Sequence, residues 1–143
     1  MRVFFDTSVF VPLFLGDHEH HVASQEAFLG LGRDHGFCSA HSLAELYSSV
    51  TRLPPRERVP ADRALQFVEE IAKRLELVTL DAGEHVQALK FFAETGIIGG
   101  ATYDGLHVCC ARKAKADIIY TWNIRHFQLF GPEIEKRLRL PGE

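Results

Sequence analysis

No apolar run in the sequence approaches the roughly 20 residues that a bilayer-spanning helix needs. No signal-peptide pattern precedes the strand-like run that begins at Val3. A cytoplasmic protein without membrane contact is the expectation. Cysteine is scarce as well. Cys38 lies far from the adjacent pair Cys109 and Cys110, so the three make neither a zinc pattern nor an even disulfide framework. They read as small core fillers in a reducing compartment. A basic surplus is also missing: 16 Lys and Arg face 19 Asp and Glu, a formal charge of -3. That balance argues against a protein that simply coats nucleic acid, because nonspecific phosphate binding is driven by clustered cations. No repeat, linker or low-complexity segment breaks the chain.

What is present fits one folded unit. The 143 residues, 46% hydrophobic and 24% charged, suffice for a single domain (residues 1–143) with a real core. Acid is concentrated early: residues 1–50 carry a net charge of -4 and residues 51–143 a net of +1. Arg52, Arg56 and Arg58 cluster around Pro54 and Pro55.

Arg2 to Phe5 reads as a strand that stops at the cap-forming residues Asp6, Thr7 and Ser8. A helix is expected from about His18 to Leu31, a loop over Gly32 to Gly36, and a second strand at Phe37 to Ser39. Ser42 to Leu53 reads as a helix ended by Pro54. After Pro60, the residues Ala61, Ala64, Leu65, Val68, Ile71, Ala72 and Leu75 form an amphipathic stripe that leaves Phe67 aside. Leu77 to Leu80 is a third strand. Asp81 caps a helix ending at Gly96, Gly99 and Gly100 mark a tight approach, and Thr102 starts a helix reaching Lys115. Asp117 to Thr121 is a fourth strand, and residues 133–140 fit helix or edge strand equally. Strands alternating with helices, without hairpin signals, imply an α/β fold with a parallel sheet covered by helices on both faces.

In such sheets the ligand crevice lies beyond the carboxyl ends of the strands. Asp6 ends the first strand there, Asn123 follows the fourth, and Asp104 sits in the first turn of a helix whose apolar stripe is Tyr103, Leu106, Cys110 and Ala114. His107 falls inside that stripe and reads as a core histidine ahead of a general base. Periodicity alone makes Glu45 a surface residue, since it points away from the stripe Leu43, Leu46, Tyr47 and Val50. The run from His18 to His21 lacks a third ligand for zinc. Trp122 suits base stacking and rim packing equally.

Phe5-Asp6-Thr7-Ser8-Val9, Ala44-Glu45-Leu46-Tyr47, the stretch from Gly99 to His107, and Tyr120-Thr121-Trp122-Asn123 with Phe127 together resemble the ordered motifs of PIN-domain ribonucleases. The similarity is nearest to the VapC toxins of toxin and antitoxin pairs and covers essentially the whole chain. It implies a PIN-like three-layer fold with four or five parallel strands, and an endoribonuclease whose site is built by Asp6, Glu45, Asp104 and Asn123. The first three would hold Mg²⁺ or Mn²⁺, which suit hard oxygen ligands. Ser8 and Thr121 are expected to support them. Where many relatives carry an acid, this chain has Asn123, and His126 stands where another acid is common, so one ion at rest is expected. The implied partners are the RNA substrate, a small antitoxin seated in an apolar groove marked by Arg52, Arg56, Arg58 and Phe67, and a second copy in a homodimer. Asn123 and the acidic balance motivate the alternative, a catalytically weakened RNA- or protein-binding scaffold. A phosphatase of the DxDxT type is disfavoured because Ser8 occupies the place of its second aspartate.

Overall fold

The structure, a computed structural model, describes residues 1–31 and 34–143. Strand β1 (Arg2–Phe5) sits at the centre of the sheet and explains its own apolar run. Successive side chains of a strand point to opposite faces. Val3 and Phe5 therefore enter one core while Phe4 enters the other. The elements follow as α1 (Thr7–Leu13), α2 (His21–Leu29), β2 (His35–Ser39), α3 (His41–Thr51), α4 (Ala61–Arg74) and β3 (Glu76–Val78). After these come α5 (Ala82–Thr95), α6 (Ala101–Lys113), β4 (Ile118–Tyr120), α7 (Ile124–Gln128), α8 (Pro132–Glu135) and β5 (Leu138–Arg139). All strand pairs are parallel, in the order β3-β2-β1-β4-β5. The expected α/β sheet is thus present with five strands.

One face carries the core of α1 to α4, with Val9, Phe10, Phe28, Leu46, Val50 and Ile71. The other carries Val108, Cys110, Ala111, Phe127, Ile134 and Leu138 from α6 to β5. The strand order turns back on itself between β1 and β4, which opens a crevice beyond their carboxyl ends, the place where open α/β sheets bind ligands. Asp6 follows β1 there and Thr121 follows β4. No helix among the described residues is long and apolar enough to cross a membrane. The three cysteines are free, and burial pushes the Cys38 thiol up to about 12.

Several local expectations are corrected. Helix α2 begins only at His21, because His18 Nδ1 accepts the backbone N–H of His20 at 3.0 Å and holds a turn before it. The expected loop falls partly on residues 32 and 33, outside the described residues, and His35 and Gly36 already belong to β2. Around α4 the buried face is Ala64, Phe67 and Ile71, while Leu65 is exposed. A Cβ at Gly99 or Gly100 would meet nothing within 4 Å, so no tight approach exists there; Gly99 instead supplies a φ of +60°. The close approach is at Gly105, where a Cβ would lie 2.4 Å from Phe92. Tyr103, placed in the apolar stripe of α6 by periodicity, is 62% exposed. Residues 133–140 contain both alternatives, the end of α8 and then β5, and α7 is an element that the sequence reading did not contain.

Candidate active site

Asp6 occupies two roles at once. Its extended backbone makes it the N-cap of α1, with its side chain accepting from the Ser8 N–H at 3.4 Å, and it is 4% exposed. A carboxylate buried to that degree needs hydrogen-bond donors. Thr121 supplies one, its hydroxyl donating to Asp6 Oδ2 at 2.9 Å. The same Thr121 oxygen accepts the Asn123 N–H at 3.0 Å and lies 3.2 Å from the Ser8 hydroxyl, which accepts the Trp122 N–H at 2.9 Å. Ser8 and Thr121 therefore tie the ends of β1 and β4 together around the carboxylate.

Glu45 projects from α3 toward the same crevice, half-buried, at the margin of its helix's buried face. Its Oε1 lies 2.7 Å from His107 Nε2, accepts from the Thr7 hydroxyl at 3.1 Å, and stands 3.6 Å from His41 Nε2. Burial opposes its charge, but the hydrogen bond and positive charge of His107 prevail and hold the carboxyl below the usual range.

His107 is the hub. It is 1% exposed, its Nδ1 is 2.8 Å from the Ser39 hydroxyl, and its Nε2 is 3.9 Å from Asp6 Oδ1 as well as 2.7 Å from Glu45. Burial disfavours its charged form, yet the bond to Glu45 and the charges of Asp6, Glu45 and Asp104 raise its pKa above the ordinary value. It is a satisfied buried histidine, as the sequence suggested, and also the group that the Asp6 and Glu45 carboxylates flank.

Asp104, half-buried in the first turn of α6, has its carboxyl raised, chiefly by burial and then by the charge of Asp6. His126 Nδ1 lies 3.9 Å from its Oδ2. Asn123 is exposed beside Thr121 at the start of α7, and its side chain makes no capping bond. The tightest donor cluster among the described residues comprises His41, Glu45 and His107, with atoms within 4.8 Å of one another, rather than the three carboxylates alone.

A cleft of about 710 Å³ opens beside Glu45, lined by His41, Ser48, Arg52, His85 and Tyr103 among others. Of the residues expected to mark a partner groove near Pro54 and Pro55, Arg52 lines this cleft. Arg56 lines a different hollow with Phe14 and Leu53, Arg58 donates to the Leu53 carbonyl at 3.0 Å, and Phe67 is buried at 8% exposure. Phe67 stacks on Phe14 with ring centroids 4.3 Å apart, so it is core. Trp122 is likewise engaged, stacked on His20 at 3.7 Å with its indole N–H donated to Ser24. His41 escaped the sequence reading. Its spacing of four residues from Glu45 was the available signal, since i and i+4 share a helix face.

The sequence profile of the PIN domain matches residues 3–129. Ribonuclease VapC27 of Mycobacterium tuberculosis (strain ATCC 25618 / H37Rv) is 36% identical over 114 residues, 79% of this chain and 79% of that protein. Ribonuclease VapC40 of Mycobacterium tuberculosis (strain CDC 1551 / Oshkosh) is 35% identical over 138 residues, 96% of this chain and 95% of its own. Among solved structures, VapBC-1 from nontypeable Haemophilus influenzae superposes with a TM-score of 0.68 at 15% identity, over 100% of both chains. VapBC2 from Rickettsia felis, bound to a DNA fragment from their promoter, gives 0.66 at 19%, over 98% of both. These two establish the likeness of fold. With a profile match across most of its length and relatives above one-third identity, the chain belongs to the PIN-domain family, alongside the VapC ribonucleases.

Proposed function

We propose that the protein is a divalent-metal-dependent endoribonuclease of the VapC toxin type, held inactive by an antitoxin. The observation that carries this reading is that the Asp6 and Glu45 carboxylates flank His107 at 3.9 and 2.7 Å at the crevice between β1 and β4, with the half-buried Asp104 on the same helix as His107. Carboxylates crowded together repel unless a cation joins them, and the carboxyl of Asp104 is raised first by burial and then by the charge of Asp6. The donor set is oxygen-rich and fits Mg²⁺ or Mn²⁺ held by Asp6, Glu45 and Asp104, with the Asn123 side-chain amide oxygen as the proposed further donor. Such an ion, when bound, lowers the pKa of a water and neutralises charge on a scissile phosphate.

The chain's own residues do the positioning. Thr121 and the N-cap geometry fix Asp6, while His107 and Thr7 fix Glu45. Arg52 places a cation in the cleft beside Glu45, where a backbone phosphate would pass, and exposed Tyr103 offers a ring for a base. The retained and supported carboxylates favour catalysis over the scaffold alternative. The solved VapBC complexes support an antitoxin as partner, and a homodimer is proposed with it. Incubation of partner-free protein with total cellular RNA tests the reading. Discrete cuts with Mg²⁺ or Mn²⁺ and none in EDTA support it; cleavage indifferent to EDTA overturns it.

A further inference from the structure

The nitrogen side of the site is not explained by an oxygen-preferring ion. His41 Nε2 is shielded from solvent and has no hydrogen-bond partner among the described residues, although it points to within 3.6 Å of Glu45 Oε1. The His41 and His107 rings lie against each other with centroids 4.2 Å apart. Donor atoms of His41, Glu45 and His107 lie within 4.8 Å of one another. We propose that His41, Glu45 and His107 form a second, transition-metal site of the Zn²⁺ class, sharing Glu45 with the carboxylate site.

Geometry and chemistry both favour this. Ligands around a tetrahedral Zn²⁺ at about 2.0–2.1 Å stand about 3.3 Å from one another. The observed separations of 2.7 and 3.6 Å from Glu45 Oε1 straddle that value, and all three donor atoms lie within 4.8 Å of one another. A ligating histidine usually anchors its other ring nitrogen to a neighbouring group. His107 does so through Ser39 at 2.8 Å. His41 Nε2, shielded from solvent and without a hydrogen-bond partner among the described residues, is the ring nitrogen left to take a metal. Binding displaces the proton that His107 Nε2 shares with Glu45, and that proton leaves to solvent. Asp6 Oδ1, 3.9 Å from His107 Nε2, is the further carboxylate oxygen for the fourth position, with the Thr7 hydroxyl between at 3.5 Å from the same nitrogen. Two imidazoles select Zn²⁺ or Co²⁺ over Mg²⁺.

Occupancy would withdraw Glu45 from the Mg²⁺ set and inhibit cleavage. That consequence rests on the ribonuclease reading, whereas the binding itself does not. Co²⁺ is the probe, read through the visible d–d absorption of its four-coordinate form in the full chain. The expected result is an intense band that Zn²⁺ abolishes and excess Mg²⁺ leaves, lost in His41→Gln and in His107→Gln but kept in Asp104→Asn. Absence of the band from the wild-type protein, or its persistence in a folded His41→Gln, overturns the proposal. The ribonuclease reading fails separately, if the band is present but Mn²⁺ supports no RNA cleavage.

Discussion

Thr121→Val isolates the support given to the buried Asp6 carboxylate, because valine keeps the shape of threonine and removes only its hydroxyl. Three partners lose a bond at once: Asp6 Oδ2 at 2.9 Å, the Asn123 N–H at 3.0 Å and the Ser8 hydroxyl at 3.2 Å, which keeps its bond from the Trp122 N–H. A hydrogen bond to a charged group contributes about 1.5–3 kcal/mol, and the orphaned N–H, partly reachable by water, adds about 0.5–1 kcal/mol. At about 3 °C per kcal/mol for a chain of this size, the melting temperature should fall by about 6–12 °C in EDTA at neutral pH. Because Asp6 also loses its fixed orientation, Mn²⁺ affinity measured by calorimetry should weaken by about 10–100-fold, the usual effect of removing a group that orients a metal ligand. Thermal melts and titrations on the same preparations check both numbers. A variant melting within about 2 °C of wild type with unchanged Mn²⁺ affinity would refute the assignment of Thr121 as the residue that holds Asp6.

Glu45→Gln should change how stability depends on pH in EDTA. His107 has its pKa raised by Glu45, so the contribution is complete below its ordinary 6.5 and is lost as pH rises through the higher folded value. The wild-type melting temperature should therefore decline across that window, and the Gln variant should be flatter there. Phe67→Ala should cost about 3–5 kcal/mol, as removal of a buried aromatic does, seen as a large drop in melting temperature; near-normal stability would return Phe67 to the surface. Asn123→Asp adds a charge beside Thr121 and Asp6, and should lower the Mn²⁺ concentration giving half-maximal cleavage; an unchanged value removes position 123 from the site.

The parts of the fold read from sequence are those whose signals are local. The run Arg2 to Phe5 is a strand because its apolar residues serve two cores, and Asp81 with Glu84 forms a reciprocal capping box that starts α5. Asp6 was visible because a carboxylate ending an apolar strand has few structural reasons to be there. Glu45 was not visible from periodicity, since what holds it is His107, 62 residues away on another helix. A hydrophobic stripe describes how a helix meets the core, and Glu45 meets a crevice instead. The reading of α4 failed for a related reason. It counted aliphatic spacing and chose Leu65, whereas the stack of Phe67 on Phe14 rotates the helix and leaves Leu65 in solvent. His41 is signalled only by its spacing of four residues from Glu45, and that spacing gains meaning once α3 and α6 are brought together.

Asp6, Glu45 and Asp104 are proposed to build one metal-dependent centre that cuts RNA. Its most direct test is cleavage of total cellular RNA by wild-type protein and Asp104→Asn, both freed of any copurified partner and both shown to melt cooperatively. Reactions run side by side in Mg²⁺, Mn²⁺ and EDTA. Discrete products with either ion for the wild type, none in EDTA and none from Asp104→Asn under any condition are the predicted result. Equal cleavage by a folded Asp104→Asn, or wild-type cleavage that survives EDTA, would contradict it.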